Sequence, residues 1–170
     1  VKHGDLDVSL NAPSELDDVH MGRHGFLCID CHKTKDHVIT GKSMSVSVSR
    51  NGSVFCEDCH DQKPHLDQRL NSHLDSVACE TCHIPSYARR NPTKTEWDWS
   101  KAGDDNRKDD VHHYLKIKGE FVYGENITPR YMWYNGTSKR YLVGDTIDPT
   151  EVTNINEPIG SIDDPQAMIH

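Results

Sequence analysis

Long apolar runs are missing from this sequence, and hydrophobic residues are scarce in it. They make up 34% of the 170 residues, and the mean hydropathy is −0.76, which is lean for a protein core of this length. No stretch approaches the roughly 18 consecutive apolar residues of a membrane-spanning helix. We therefore expect no transmembrane span, and we expect some other apolar body to complete the core.

Basic clusters are missing as well. The chain holds 19 Lys and Arg against 27 Asp and Glu, for a formal net charge of −8. No basic run or patch indicates binding to nucleic acid or to anionic lipid. The acidic balance instead favours a basic protein as a docking partner.

All six cysteines belong to three copies of the pentapeptide Cys-x-x-Cys-His. This pentapeptide is typical of c-type haem attachment: the two thiols add to the haem vinyl groups, and the adjacent histidine becomes an axial ligand of the iron. With 12 histidines in 170 residues, chance would place one after all three pairs in roughly 4 of 10,000 cases. We therefore predict three haem c groups, anchored by Cys28, Cys31, Cys56, Cys59, Cys79 and Cys82, with His32, His60 and His83 as proximal ligands.

Two other uses of paired cysteines compete with haem. A structural zinc site of four cysteines would use two pairs and leave the third without a role. It would also give no reason for a histidine after every pair. A thioredoxin-type dithiol needs one pair near a βαβ pattern, and this sequence has three pairs and no such pattern.

Haem c also accounts for the shortage of apolar residues. Each macrocycle is a large apolar plate, so stacked haems can replace part of an aliphatic core. Nine of the twelve aromatic residues follow residue 87, where no haem motif occurs. The motifs start so close together that the haems must share one scaffold. We predict one domain, with a trihaem-binding segment at 1–87 and a haem-free, wrapping and extended segment at 88–170.

The local patterns predict a mainly irregular fold, with short α-helices around stacked haems and few short β-hairpins. A helix over 66–78 is predicted because four apolar residues share one helical face, namely Leu66, Leu70, Leu74 and Val77. Residues 14–17 are predicted to open a short helix towards His20. Residues 97–99 and 103–110 have loop-like composition.

Three β-hairpins are predicted from alternating apolar residues around turn signals. They lie at 44–55, 114–123 and 131–143, and the first and third turns are Asn-Gly. The tail after residue 144 carries three prolines and is predicted to be extended, irregular structure.

Nine further histidines lie outside the motifs. In multihaem electron carriers a second histidine usually fills the sixth iron position, and six-coordinate iron changes oxidation state with little ligand movement. His37 and His65 each lie five residues after a motif histidine. Five residues span at most about 17 Å, too little to round a porphyrin edge, so we predict that each caps a neighbouring haem.

His20 and His73 precede motifs on longer tethers and complete the predicted distal set. His24 competes with His20 for this role. The other surplus histidines could ligate haems outside this chain; they are His3, His112, His113 and His170.

Several short runs resemble the octahaem tetrathionate reductase family, which is related to octahaem nitrite reductases and hydroxylamine oxidoreductases. They are Asp18-Val19-His20-Met21, the spacing of His32 and His37, Leu70-Asn71-Ser72-His73 before Val77-Ala78-Cys79, Cys82-His83-Ile84-Pro85, Trp97-Asp98-Trp99-Ser100 with Ala102-Gly103, and Trp133-Tyr134-Asn135-Gly136. The resemblance covers most of the chain but only the middle to later part of a family member, and five of eight haem motifs are absent.

The resemblance implies a periplasmic or extracellular array of closely packed, mostly bis-histidine haems in a mainly helical scaffold. The family's catalytic haem is associated with a lysine, but no Cys-x-x-Cys-Lys occurs here, so the haem-binding residues are carried over and the catalytic ones are not. Lys33 and Lys35 after the first motif are interpreted as solvated side chains. The start at Val1 and the lack of a closing motif indicate a fragment of a longer protein.

Electron transfer is the leading functional prediction. The alternatives are part of a reductase acting on tetrathionate, nitrite or hydroxylamine, and a subunit of an extracellular haem filament joined by loose terminal histidines. Expected partners are other haem-bearing segments or redox proteins, with a homo-oligomer or filament as a further possibility.

Overall fold

The computed structural model describes residues 8–41 and 54–170, and these divide between two compact units. One unit comprises Val1–Phe26 and Ile84–Pro129, and the other comprises Leu27–His83 and Arg130–His170. We call the first the sheet unit, after its three-stranded sheet, and the second the motif unit, because it contains every Cys-x-x-Cys-His copy. Each unit combines an early and a late part of the chain.

The sheet unit is built on an antiparallel sheet in which a long strand lies between two partners. Its strands are β3 (Thr93–Asp98), β4 (Tyr114–Leu115) and β5 (Gly119–Gly124), in the order β3-β5-β4. A five-residue π-helix, Val19–Arg23, begins after Asp18, whose side chain accepts a hydrogen bond from the Met21 N–H. The apolar core of this unit is small, and in the described residues it consists of Ala88, Tyr114 and Phe121.

The motif unit contains short helices and two-residue to four-residue strands. Its helices are α1 (Cys28–Cys31), α2 (Gln68–His73) and α3 (Cys79–His83), with a 3-10 turn at Cys56–Asp58. Its strands are β1 (Thr34–Lys35), β2 (Val38–Ile39), β6 (Trp133–Tyr134), β7 (Thr137–Arg140), β8 (Asn156–Ile159) and β9 (Met168–Ile169). They pair antiparallel as β1–β2, β6–β9 and β7–β8.

Very little of the motif unit is buried. Its buried apolar side chains, among the described residues, are Ala78, Tyr134 and Ala167. Large apolar side chains beside the first two motifs are exposed instead, namely Leu27, Ile29, Val54 and Phe55. The motif unit therefore has a small apolar core and exposed apolar side chains next to its cysteines. An apolar group could cover such a surface.

The predicted fold class of mainly irregular structure, short helices and few β pairs is confirmed. The mainly helical scaffold implied by the resemblance is not found in the described residues, where helices have at most six residues. None of the helices in the described part of the chain is long and apolar enough to cross a membrane. The predicted boundary at residue 87, which concerns haem attachment, stays a prediction.

The helix predicted over 66–78 is much shorter in the structure. Asp67 starts α2 at Gln68, because its side chain accepts from the Arg69 N–H. The helix ends at His73, and Val77 is diverted into a bridge with Ile169. Leu66, expected on the apolar face, is fully exposed, so the apolar spacing does not mark one buried helical face here.

The predicted hairpin at 114–123 is confirmed, with Leu115 opposite Gly119. The predicted hairpin at 131–143 is wrong, because β6 pairs with β9 and β7 pairs with β8. The Asn135 side chain accepts from the N–H and hydroxyl of Thr137, which bends the chain between β6 and β7 without pairing them.

The remaining local predictions had mixed outcomes. The hairpin predicted at 44–55 falls largely outside the described residues. Trp97 and Asp98 were expected in a loop but belong to β3. The helix expected from residue 14 is a turn at 15–17 that precedes the π-helix, and the extended tail contains β8 and β9.

Candidate haem-binding site

Each Cys-x-x-Cys-His copy forms about one helical turn. The N–H of His32 donates to the carbonyl of Cys28 over 2.8 Å, and the N–H of His60 donates to that of Cys56 over 2.9 Å. In the third copy all five residues lie in α3. Residues three and four apart lie on one side of a helical turn, so both thiols and the histidine of each copy can address one group. None of the six cysteines forms a disulfide, so all are available for attachment.

The first two motifs are stabilised by an aspartate inside the motif. The Asp30 carboxylate accepts from the Leu27 N–H over 2.7 Å, and the Asp58 carboxylate accepts from the Phe55 N–H over 3.0 Å. In each case the carboxylate pairs with the backbone N–H just before the short turn. This is the bond that the N3 side chain makes to the N-cap residue in a capping box. These motifs are therefore held by local bonds.

The third motif has Thr81 at the equivalent position and is held by the end of the chain. The carbonyl of Ile169 accepts from the Ala78 N–H over 2.9 Å and from the Thr81 hydroxyl over 2.8 Å. The Ile169 N–H in turn donates to the Ser76 carbonyl over 2.8 Å. We call this set of bonds the Ile169 clamp.

A hydrogen-bonded histidine–glutamate pair lies next to the clamp. Nδ1 of His170 lies 2.8 Å from an Oε1 atom of Glu80, which is inside the third motif. This hydrogen bond, more than any other influence, lowers the pKa of the Glu80 carboxyl below its usual value. The His170 ring also meets the buried Tyr134 ring edge-on, with centroids 5.4 Å apart, so the third motif is fixed at two points by the last two residues.

The first cysteines of the second and third motifs are neighbours. Burial, followed by the nearby Cys79 thiol and the Glu80 and Glu57 carboxylates, raises the pKa of the Cys56 thiol to about 11. The Cys79 thiol also lies 3.9 Å from a carboxylate oxygen of Glu57. Cys56 and Cys79 therefore lie close together in the motif unit.

The first motif histidine is held in a defined orientation. Nδ1 of His32 lies 2.7 Å from the carbonyl oxygen of Thr40. A carbonyl only accepts, so Nδ1 carries the proton and Nε2 keeps its lone pair. Histidines that bind metals through one nitrogen usually donate from the other in this way. Gly41 lies against the ring, since a Cβ there would come within 2.6 Å of Nδ1.

The third motif histidine faces a histidine from the loop before α2. The rings of His65 and His83 are nearly parallel, with an interplanar angle of 16° and centroids 5.9 Å apart. Nδ1 of His65 is buried and has no hydrogen-bond partner in the described residues. An iron bound by both rings would separate their centres by about 6 Å, from two metal–nitrogen bonds of about 2 Å each and about 1 Å from nitrogen to each ring centre. The observed separation of 5.9 Å is close to that distance.

The other predicted distal ligands have different surroundings. His20 belongs to the sheet unit, where its ring lies 5.8 Å from that of Phe26. His37 is in the turn between β1 and β2 with a positive φ of 64°. His73 ends α2. Neither His37 nor His73 has a ring contact within the described part of the chain, so among the predicted distal residues of the motif unit His65 is the one that faces a motif histidine.

The cysteine pairs do not converge on a closed zinc site. Across residues 8–41 and 54–170, which include all six cysteines, no group of three or more His, Cys, Asp or Glu side chains could hold a metal ion. A structural zinc site needs four converging protein ligands. The residues fit haem. Its porphyrin would supply four nitrogen ligands to the iron, and the protein would supply two thiols for attachment and one or two imidazoles as axial ligands.

Several residues around the site had no signal in the sequence. The Thr40 carbonyl and Gly41 support His32, Asn71 holds the backbone of His65, and Ile169 holds the third motif. Backbone carbonyls and buried amides act here through contacts between particular atoms, which residue type and spacing do not reveal. His170 stands among the surplus histidines in the sequence, and its contacts with Glu80 and Tyr134 distinguish it.

Comparison with known proteins gives consistent matches. The family described as cytochrome c7 and related cytochrome c matches residues 14–85, and the family described as bacterial cytochrome c matches residues 94–170. No curated protein matches the chain. A solved structure titled octaheme cytochrome c, from Shewanella oneidensis, is similar at a TM-score of 0.89 and 45% sequence identity.

That similarity covers 99% of this chain and 40% of the octahaem chain. The chain therefore spans less than half the length of the structure that it matches. Cytochromes of these families bind haem c covalently, and the thiol and imidazole sets described above supply what such binding needs. By its motifs, its fold and these matches, the chain belongs to the multihaem c-type cytochromes.

Proposed function

We propose that this chain transfers electrons through three haem c groups, most of them ligated by two histidines. The thiol anchors are Cys28 and Cys31, Cys56 and Cys59, and Cys79 and Cys82. The proximal ligands are His32, His60 and His83, and the three sixth positions are filled from four candidate distal histidines, His20, His37, His65 and His73. When bound, haem iron supplies the one-electron chemistry, and the residues described below hold it in place.

The observation that carries this proposal is the facing pair of His65 and His83, 5.9 Å apart. His65 follows the second motif by five residues, and His83 belongs to the third. A histidine tethered to one motif thus faces the histidine of the next, which supports the proposal that His65 caps the neighbouring haem. Two neutral imidazoles on one iron leave no open position, which favours electron transfer over substrate binding.

Two further contacts support a compact array. Cys79 lies close enough to Cys56 to contribute to the raised pKa of the Cys56 thiol, which supports attachment of two haems side by side. At the first motif, the Thr40 carbonyl holds the Nδ1 proton of His32, so Nε2 is the nitrogen that would bind iron. Neighbouring, rigidly held irons are what stepwise electron transfer through a protein needs.

The proposed location is periplasmic or extracellular, because haem attachment to Cys-x-x-Cys-His normally takes place outside the cytoplasmic membrane. The net charge of −8, made more negative by haem propionates, favours a basic redox protein as the partner. Other haem-bearing segments are the second class of partner that we propose.

A second candidate is a part of an octahaem reductase acting on tetrathionate, nitrite or hydroxylamine. The observation in its favour is the match of this chain to 40% of an octahaem cytochrome c. In that case the three haems relay electrons to a catalytic haem elsewhere in the protein. The haem-filament hypothesis rests on the surplus histidines and stays a prediction.

Optical and electron paramagnetic resonance spectra of the haem-loaded protein test the leading proposal. We expect low-spin iron throughout this segment and no carbon monoxide binding after reduction. A high-spin iron assigned to one of these three motifs would contradict the bis-histidine proposal. The intact mass, which counts haems, separates the candidates: three haems fit a trihaem carrier, and eight fit part of an octahaem protein.

A further inference from the structure

Asn71 is a buried polar residue whose side-chain amide hydrogen-bonds to one neighbour through both its oxygen and its nitrogen. Only 7% of it is exposed, and it lies within α2. Its Oδ1 accepts from the His65 N–H over 3.0 Å, and its Nδ2 donates to the His65 carbonyl over 2.7 Å. The amide thus forms a two-point bond to the backbone of a single residue, and that residue is the histidine that faces His83.

A two-point amide bond restricts both peptide groups of His65. The donor bond and the acceptor bond fix the N–H and the carbonyl on either side of its Cα, so the direction of the Cα–Cβ bond is fixed as well. The ring itself receives no such support, since its buried Nδ1 has no partner in the described residues. Orientation of the ring therefore depends on the backbone more than on side-chain hydrogen bonds.

The loop around His65 has few other anchors. Pro64 has no backbone N–H to donate, and Leu66 is fully exposed. α2, in contrast, is capped by Asp67, so Asn71 connects this loop to a defined helix. A single buried amide in such a place is costly to leave unpaired, which makes the two-point bond a strong determinant of the loop's conformation.

We propose that Asn71 is a positioning residue for haem ligation: it holds His65 so that the imidazole faces His83 across the third haem site. This inference rests on the proposed bis-histidine ligation of that haem. Asn71 itself touches neither ring. Its effect should appear in the ligation state of one haem.

The test replaces Asn71 and reads the iron. In haem-loaded Asn71→Ala we expect a new high-spin signal and carbon monoxide binding at a single haem, because the freed loop no longer keeps His65 on the iron. Added imidazole should restore the low-spin spectrum. Asn71→Asp retains the side-chain volume and the acceptor for the His65 N–H, and we expect it to show a smaller high-spin fraction than alanine.

Asn135→Ala is the matched control. Asn135 is a half-buried asparagine of the same unit that bonds Asp164 and Thr137 and no histidine. We expect its loss to lower stability and to leave every iron low-spin. Spectra of Asn71→Ala and Asn71→Asp that stay low-spin would overturn the inference, as would an equal high-spin signal in the control.

His65→Ala separates this inference from the proposed function. If His65→Ala produces a high-spin haem and both Asn71 variants do not, His65 is the ligand and Asn71 does not position it. If His65→Ala itself leaves the spectrum unchanged, the ligation proposal fails first, and the role of Asn71 fails with it. A high-spin signal in His65→Ala and Asn71→Ala, absent in Asn135→Ala, supports both.

Discussion

The second and third haem motifs differ by one residue, Cys-Glu-Asp-Cys-His against Cys-Glu-Thr-Cys-His, and they are held in different ways. In the second, Asp58 caps the preceding N–H from within the motif. In the third, the same donor and the Thr81 hydroxyl both bond to Ile169, which follows Thr81 by 88 residues. One motif is complete within a few residues, while the other depends on the fold of the whole unit.

This difference shows that identical chemistry can have different structural support. Covalent attachment needs both thiols and the histidine on one side of a turn, which five residues provide. Holding that turn against the rest of the protein needs further bonds. An aspartate within the motif supplies one such bond locally, whereas the Ile169 clamp also joins the third motif to β9. The third haem site should therefore be sensitive to distant changes, and the first two should not.

The largest expected effect is from breaking the clamp. Ile169→Pro removes the N–H that bonds Ser76 and keeps the carbonyl that bonds Ala78 and Thr81. Its ring disturbs the β6–β9 pair and with it the position of that carbonyl, at a cost of about 2–3 kcal/mol. We expect loss or destabilisation of the third haem alone. Mass analysis of haem-bearing peptides and thermal unfolding measure this. An equal loss at the first two motifs would show that the clamp supports the whole unit.

The next effect concerns the local support of the first motif. Gly41→Ala places a Cβ within 2.6 Å of Nδ1 of His32, at a φ of 118° that strains residues other than glycine by about 1–3 kcal/mol. We expect the ring to shift from the Thr40 carbonyl and the reduction potential of the first haem to change. Electrochemistry with the other haems as internal references measures the shift.

Gly25→Ala is the control for backbone strain. Gly25 also has a positive φ, 69°, but a Cβ there meets nothing within 4 Å. We expect a similar loss of stability without a change in the potential of the first haem. If both variants shift that potential alike, the effect comes from strain in general and not from contact with His32.

A smaller effect is expected from removing the local cap. Asp58→Ala leaves the Phe55 N–H without its acceptor, at a cost of about 1 kcal/mol, as for other helix caps. Thermal unfolding should show a lowered midpoint, with all haems still attached. Asp61→Ala, one residue after the motif and likewise exposed, removes a carboxylate without a capping bond, and we expect no comparable change.

The smallest effect, and the sharpest test of the comparison, is from Thr81→Asp. It makes the third motif identical to the second and provides a local acceptor for the Ala78 N–H. Alone it should change stability by less than about 1 kcal/mol, since one acceptor replaces another. Combined with Ile169→Pro, it should restore part of the lost stability. No restoration in the double variant, by thermal unfolding, would mean that the cap and the clamp are not interchangeable.

Much of the fold's character followed from composition and spacing. Scarce apolar residues and dense haem motifs predicted irregular structure with short elements, and the hairpin at 114–123 was recognised because its strands are adjacent. The hairpin at 131–143 was wrong because its two strands pair with β8 and β9, far along the chain. The helix over 66–78 was too long because Asp67 caps it late and Val77 is recruited by Ile169.

The candidate site shows the same division. The motif residues and the short tether of His65 were evident from the sequence. Asn71, Gly41 and the Thr40 carbonyl were not, because their roles depend on approach within a few ångströms of a histidine. A backbone carbonyl has no sequence signature, and a buried amide resembles any other asparagine until its partners are known.

The sequence by itself determined which atoms can bind haem, since two thiols and an imidazole at fixed spacing are a local property of the covalent chain. It also determined, through the span of five residues, that His65 cannot easily return to its own haem. Only the tertiary structure decided that His65 faces His83, that Asn71 holds it there, and that the third motif depends on Ile169. The Asn71–His65 bonds span six residues and the Thr81–Ile169 bond spans 88, and all of these contacts form only when folding brings particular atoms together.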